Sequence, residues 1–590
     1  MRTPVSWTRS QAGRLSPERR RADLRRLGAE EFDVVVVGGG ATGAGAALDA
    51  ASRGLRTALV EARDLASGTS SRSSKLVHGG LRYLEQLELG LVHEALTERG
   101  LLAGSLAPHL VRPVPFLLPL KGIWERAYYG AGVAAYDVLA TALRSRSAGA
   151  GRDRGGLPWH RHLSRTAALR AFPDLDPRVR GAIRYFDAQV DDARLVVALA
   201  RTAASLGAAV VTSAQAVGFT REGGRLSGVE VLDVESGTRR TVKARTVVCA
   251  AGVWSDDLAG MLPKRPGMAV KASKGVHLVL PGSAIRGSAG IISRTKWSVL
   301  FIIPWDRHWL IGTTDTEWDL DLAHPAASAS DVAYLLQQAS DVLRHRLDVS
   351  QVEGVYAGLR PLLRGETEAT SKLSREHAVT EPEPGLFFVA GGKLTTYRVM
   401  ARDAVDAAAA RLGPGVPASG THLLPLLGAD GYGVYWEARD RIAKRFDVPV
   451  ETVEHLLRRY GNLAPQLLRM VAELPQLGRP LAGGDDYLRA EVVYAARYEG
   501  ALHLDDILTR RLRLSIESFD RGTEAASDAA ALAGAVLDWQ ESRRTLEVET
   551  YLHRVDAERR SQQQPDDDAA EAARLAAVDL RRLARFRQIG

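Results

Sequence analysis

The chain has 590 residues, too many for a single compact core, so at least two domains are expected. Hydrophobic residues make up 45% and charged residues 25%, a balance that excludes general disorder. One cysteine, Cys249, excludes an internal disulfide framework, and no stretch approaches the roughly 20 apolar residues of a membrane span.

In chain order, residues 1–31 form a basic N-terminal extension with Arg2, Arg9, Arg14, Arg19, Arg20, Arg21, Arg25 and Arg26, a large part of the net charge of +8. The extension reads as a solvated tail, with an anionic lipid surface as the second reading. It lacks the apolar segment of a secretory signal, so a cytoplasmic location is expected, with contact only at the surface on the inner face of the cell membrane. Residues 32–37 are a β-branched apolar run ending in glycines, the pattern of a buried parallel strand. A helix over residues 44–53 and a strand over 57–60 complete a βαβ unit. Gly38, Gly40 and Gly43 stand in G-x-G-x-x-G spacing directly after the first strand. Gly38 permits the tight turn, Gly40 lets a pyrophosphate approach the backbone, and Gly43 lets the helix pack on the strand. The helix N-terminus offers N–H groups and a positive dipole end to phosphate. Glu61 closes the second strand, where a carboxylate bonds a ribose hydroxyl and disfavours a 2′-phosphate. A dinucleotide site follows; the fingerprint alone does not separate NAD from FAD.

Further along, residues 146–157 read as a loop, 193–206 as a helix, and 210–248 as alternating strands. Residues 278–280, 299–303 and 309–312 read as an antiparallel sheet. Cys249 sits in an apolar run and reads as a small buried hydrophobe. Residues 386–390 are one more buried strand, and a helix follows from Thr396. Gly391-Gly392-Lys393 is not a P-loop, because Phe387 stands where glycine is needed and Leu394 where Ser or Thr is needed. The stretch 413–433 is Pro- and Gly-rich and reads as a linker; 434–550 reads as an all-α domain, and 551–590 as a charged tail freed by the helix-breaking run 562–568. The apolar and aromatic stretch 124–143 reads either as a packed core helix or as a membrane-surface element. No metal-ligand spacing is present, and no nucleic-acid partner is expected.

The segment LASGTSSRSSKLVHGGLRYLE, residues 65–85, resembles the signature of FAD-dependent glycerol-3-phosphate dehydrogenases of the bacterial aerobic type. Six more matches follow in that family's order: VDDARL at 190–195, Ala250-Ala251-Gly252 with Trp254, Lys274 to His277, Gly312 to Asp315, Gly358 to Leu362, and Gly391 to Arg398. The likeness covers about residues 32–545. The chain departs from the pattern at Thr42, at Val276 and at Arg375-Glu376-His377.

The resemblance implies an α/β (α+β) fold: a Rossmann-like FAD-binding domain with an interleaved antiparallel-sheet substrate domain over residues 32–412, plus the C-terminal all-α domain. It implies non-covalent FAD held by Gly38, Gly40, Thr42, Gly43, Glu61, Thr69, Ser70, Ser74, Lys75, His78, Gly79, Gly252, Gly392, Lys393 and Thr395. The substrate implied is sn-glycerol 3-phosphate, its phosphate met by Arg82, Tyr83, Arg375 and Lys393. His277 is the expected base, since imidazole titrates near neutral pH, and Arg360 either stabilises the developing alkoxide or binds substrate. Hydride would pass from C2 to flavin N5 and the electrons onward to a membrane quinone. The alternatives are a glycerophosphate oxidase using oxygen or another flavin oxidase of the wider superfamily. A homo-oligomer is compatible with the sequence.

Overall fold

The structure, a computed structural model, describes residues 5–80, 88–147, 157–263, 267–295, 299–364, 376–581, 583 and 584. Two sheets and a helical C-terminal region account for most of it. Helices α1 (Val5–Ala12) and α2 (Pro17–Ala29) lead into β1 (Glu31–Val37), helix α3 (Ala41–Ser52) and β2 (Thr57–Val60). Six of the seven β1 residues are buried, as a strand covered on both faces must be. β1 pairs in parallel with β2 on one side and with the strand Thr238–Cys249 on the other, where Val37 lies opposite Cys249. The eight-stranded sheet runs 377–383, 386–391, 238–249, β1, β2 and 209–211, with the hairpin strands 214–222 and 225–233 attached through 238–249.

Alternate β1 side chains serve two cores. Val34 and Val36 pack with the alanines of α3, with Leu195 and Leu199 of the helix Asp192–Ser205 and with Met400 and Ala401 of the helix Tyr397–Leu412. Val35 and Val37 face the opposite layer, which contains Leu24 and Leu27 of α2. The described part of the N-terminal extension, from residue 5, is therefore not a solvated tail. Its leucines are buried, and Arg20 donates to the Thr212 carbonyl and pairs with Asp233 at 2.7 Å. Arginine density signalled charge in the sequence but hid the carboxylates and carbonyls, far along the chain, that neutralise it.

The second sheet has ten strands and is antiparallel apart from one pair. Its strand Val270–Pro281 lies between His308–Gly312 and Gly354–Leu363, so His277 has Gly312 opposite it on one side and Tyr356 on the other. Cys249 is fully buried, and that burial pushes its thiol pKa up, as suits an inert hydrophobe.

The C-terminal region is helical, with one addition the sequence reading lacked: a short hairpin, Pro480–Leu481 with Gly484–Leu488. The stretch expected as a linker is also packed, with Leu426 in the core beneath α3 and Leu427 in that of the C-terminal helices. The helix Glu541–Ser561 runs on past residue 550, and the break after it is a turn, not a release. Asp566 caps a further helix, Asp567–Leu575, by accepting from Ala569 N–H at 2.9 Å. Beyond it, Arg581 is buried in a bidentate pair with Asp506 at 2.9 and 2.7 Å. The described residues after 550 thus fold back onto the body. Among the described residues, no helix is long and apolar enough to cross a membrane.

Candidate active site

A cavity of about 1070 Å³ runs between the two sheets, from the turn after β1 to residues of the antiparallel sheet. At the turn, Gly38 has φ +111°, and a Cβ there would stand 2.5 Å from the Ala250 carbonyl oxygen. A Cβ on Gly43 would come within 1.8 Å of the Gly38 oxygen, so α3 sits on β1 only because that position has no side chain. Gly40 is different. A Cβ there meets Ser70 Oγ alone, at 3.1 Å, and otherwise points into the cavity that Gly40 helps to line. Ser70 Oγ accepts from Ala41 N–H at 3.0 Å and ties the serine-rich loop to the first turn of α3.

Glu61 also faces the cavity. Its carboxylate accepts from Gly39 N–H at 2.6 Å and from Arg63 N–H at 2.8 Å. Burial raises its pKa against the opposing pull of those two N–H groups. Thr42, Thr69, Ser74, His78, Gly252, Gly392, Lys393 and Thr395 line the same cavity. Thr69 Oγ1 donates to the Leu359 carbonyl at 2.5 Å, and Thr395 Oγ1 accepts from His78 N–H at 3.2 Å. Two expected cofactor contacts lie elsewhere. Lys75 is fully buried and bonds Asp192 at 2.9 Å and the Ser71 carbonyl at 3.1 Å. An isolated buried ammonium would be costly, and Asp192 draws it away from the cavity. Gly79 donates to Tyr136 Oη at 2.8 Å and does not line the cavity.

The antiparallel sheet supplies a wall with His277, Thr313, Asp315 and Arg360. His277 Nε2 lies 2.8 Å from Ser74 Oγ, which joins the loop after β2 to this sheet. The Tyr356 ring stacks on the imidazole at 4.8 Å with 9° between planes, and its hydroxyl donates to the Ser73 carbonyl at 2.9 Å. Gly312 is required beside it, because a Cβ there would be 2.3 Å from the imidazole. Near-neutral titration is not what the site gives His277. Burial, then the charges of Arg360 and Lys75, push its pKa well below the ordinary value and so favour the neutral ring. Arg360 is held in place by Thr313 Oγ1 and the Thr314 carbonyl, both at 2.9 Å, and by Asp315 at 3.3 Å. Gly275 leaves room for that guanidinium, since a Cβ would stand 2.5 Å from it.

Arg82, Tyr83 and Arg375 lie outside the described residues. Sequence reasoning passed over Arg72, Trp254, Tyr356, Thr313 and Asp315 as site residues. Arg72 lies within the serine run, and Thr313 and Asp315 within a quoted motif, so their position was a signal; Tyr356 had none.

The cavity fits a dinucleotide on its own geometry. It pairs a helix N-terminus approached through the glycines 38–40 with a buried carboxylate closing the adjacent strand. Comparison with known proteins agrees. A match to the FAD dependent oxidoreductase family covers residues 33–407, and one to the C-terminal domain of alpha-glycerophosphate oxidase covers 419–544. The chain is 50% identical over 583 residues to a glycerol-3-phosphate dehydrogenase of Mycobacterium leprae, covering 98% of each chain. It is 35% identical to the human mitochondrial glycerol-3-phosphate dehydrogenase, over 90% of this chain and 74% of that one. The crystal structure of the glycerol-3-phosphate dehydrogenase from Bacillus halodurans, complexed with FAD, superposes with a TM-score of 0.73 at 28% identity, over 92% of this chain and 98% of that one. By these likenesses and by the cavity itself, the chain belongs to the FAD-dependent glycerol-3-phosphate dehydrogenase family.

Proposed function

We propose that the protein oxidises sn-glycerol 3-phosphate to dihydroxyacetone phosphate and passes the electrons to a quinone. The observation that carries this reading is the buried His277, 2.8 Å from Ser74 Oγ, on the wall of the cavity that also holds the glycine turn and Glu61. FAD, held non-covalently by the glycine turn and Glu61, would supply the hydride acceptor. A neutral imidazole has a free lone pair, so His277 takes the hydroxyl proton as the C2 hydride departs. Ser74 Oγ, at 2.8 Å, fixes the ring until substrate replaces that contact. Arg360, pinned by Thr313, Thr314 and Asp315, is a preorganised cation for the developing alkoxide. Lys393, which lines the cavity, and Arg82, Tyr83 and Arg375 serve the phosphate.

The quinone reading draws support from the helix Ile123–Ser147. Val133 and Tyr136 are buried, whereas Trp124 is 88% and Tyr128 59% exposed, and Tyr128 and Tyr129 line the cavity. An apolar, aromatic surface beside the cavity suits a lipid-soluble acceptor at a membrane face. The test is anaerobic addition of glycerol 3-phosphate to the purified yellow protein. Flavin absorbance near 450 nm should bleach, with dihydroxyacetone phosphate as product; a spectrum that does not change would refute the substrate. Reoxidation by a quinone analogue without peroxide separates the dehydrogenase from an oxidase.

A further inference from the structure

We propose that Asp579, Arg581, Leu583 and Ala584 form the outer wall of the adenosine end of the FAD site and retain the cofactor there. The family match ends at residue 544, well before this segment. Pyrophosphate on the N-terminus of α3 and ribose on Glu61 leave the base beyond Glu61. There the cavity is lined by Ala62, Arg63 and the strand residues Ala214, Gln215 and Ala216. Leu583 lines it too, from the opposite end of the sequence.

Leu583 is held there by bonds on both sides. Ala584 N–H donates to Gln215 Oε1 at 2.7 Å, and Gln215 Nε2 donates to the Ala584 carbonyl at 2.8 Å, a reciprocal pair that continues the wall. Arg581 donates to Ser213 Oγ at 2.8 Å and pairs with Asp506. Asp579 pairs with Arg63, the residue two past the ribose-binding carboxylate, and bonds His324 at 3.2 Å. Three regions of the molecule, the parallel sheet with its attached hairpin, the loop after the strand Thr316–Glu317 and the C-terminal helices, therefore converge on one short segment at the adenosine end. A solvated tail would need none of these pairings. The flat face of the base takes an apolar cover, and Leu583 is the side chain this segment offers.

The inference rests on the FAD site and not on the identity of the substrate. The test is the rate of FAD release from holoenzyme, followed as the rise of flavin fluorescence on dilution, at a temperature well below melting. Leu583→Glu and a chain ending at residue 578 should both release FAD about tenfold faster or more; tenfold corresponds to about 1.4 kcal/mol, the low end for burying a leucine side chain. Leu575→Glu, on the exposed face of the preceding helix, should release it at the wild-type rate. Should the shortened chain fail to fold, Leu583→Glu decides alone. Wild-type release from Leu583→Glu, or equal acceleration in Leu575→Glu, overturns the proposal.

Discussion

The wall of the cavity at the glycine turn and the wall at His277 are built from different materials. The first is main chain. Gly38, Gly40 and Gly43 fall within six residues, and each is defined by what a side chain would strike. The second is side chains brought together across the chain: Ser74 reaches His277 over 203 positions, and Arg360 reaches Thr313 over 47. A wall of main chain constrains the local sequence, so spacing reveals it. A wall of side chains depends on strand register, which places Gly312 and Tyr356 on either side of His277. No local spacing carries that register.

The largest expected effect tests this contrast within the glycine turn itself. A Cβ at Gly43 collides with the Gly38 carbonyl at 1.8 Å, whereas one at Gly40 meets only Ser70 Oγ at 3.1 Å and projects into the cavity. Gly43→Val should therefore give no folded protein. Gly40→Val should fold and yet purify colourless, because beyond the Ser70 hydroxyl its side chain obstructs only the pyrophosphate. The ratio of flavin to protein absorbance, with a thermal melt of the apoprotein, separates the two. Full FAD occupancy in Gly40→Val would remove the assignment of that position to the cofactor.

The same contrast explains how much could be read from the sequence. β1, α3, β2 and Glu61 were legible because period and glycine spacing are local. The strand Val270–Pro281 was visible only in its apolar part, residues 278–280, while its first half is polar at Lys271, Ser273 and Lys274, the last two buried and paired on both sides. Lys75 was misplaced for a related reason. Its motif position pointed to the cofactor, but Asp192, 117 residues on, draws its ammonium into the interior. The termini were misread most plainly. Arginine-rich ends look solvated until the carboxylates that meet them, Asp233 for Arg20 and Asp506 for Arg581, are placed in space.

A smaller effect is expected where the catalytic region meets the C-terminal helices. Arg510 bonds Asp64 and Asp506, each at 2.6 Å, and all three are buried. Removing one partner of a buried pair usually costs about 3–5 kcal/mol, because the other charge is stranded. Here Arg511 still meets Asp64 and Arg581 still meets Asp506, so Arg510→Ala should lie at the lower end, about 3 kcal/mol. Melting should fall, while the flavin reduction rate of folded protein stays within about twofold, because Arg510 does not itself line the cavity. A rate loss at unchanged melting would put this arginine in the chemistry instead.

The smallest effect is a pH dependence at the same boundary, at a histidine that no sequence signal singled out. His503 is buried, with Nδ1 2.9 Å from Glu547 of the helix Glu541–Ser561 and Nε2 2.9 Å from Glu235 in the turn before the strand Thr238–Cys249. Burial pushes its pKa down and Arg581 adds to that push, but the hydrogen bonds to the two glutamates, with Asp506 nearby, outweigh both and hold it at about 9. An unfolded histidine titrates near 6.5. The folded value is the higher one, so the charged ring stabilises the fold fully below about pH 6.5, and that contribution is lost as pH rises through about 9. Melts taken with saturating FAD should therefore fall between pH 6.5 and 9.5. His503→Gln keeps a donor yet cannot carry the charge; it should be less stable than the parent at pH 6.5 and should approach it at pH 9.5. Parallel pH profiles for the two proteins would mean that His503 is neutral in the fold and that the two glutamates are satisfied by other groups, Arg543 at 2.8 Å from Glu547 first among them.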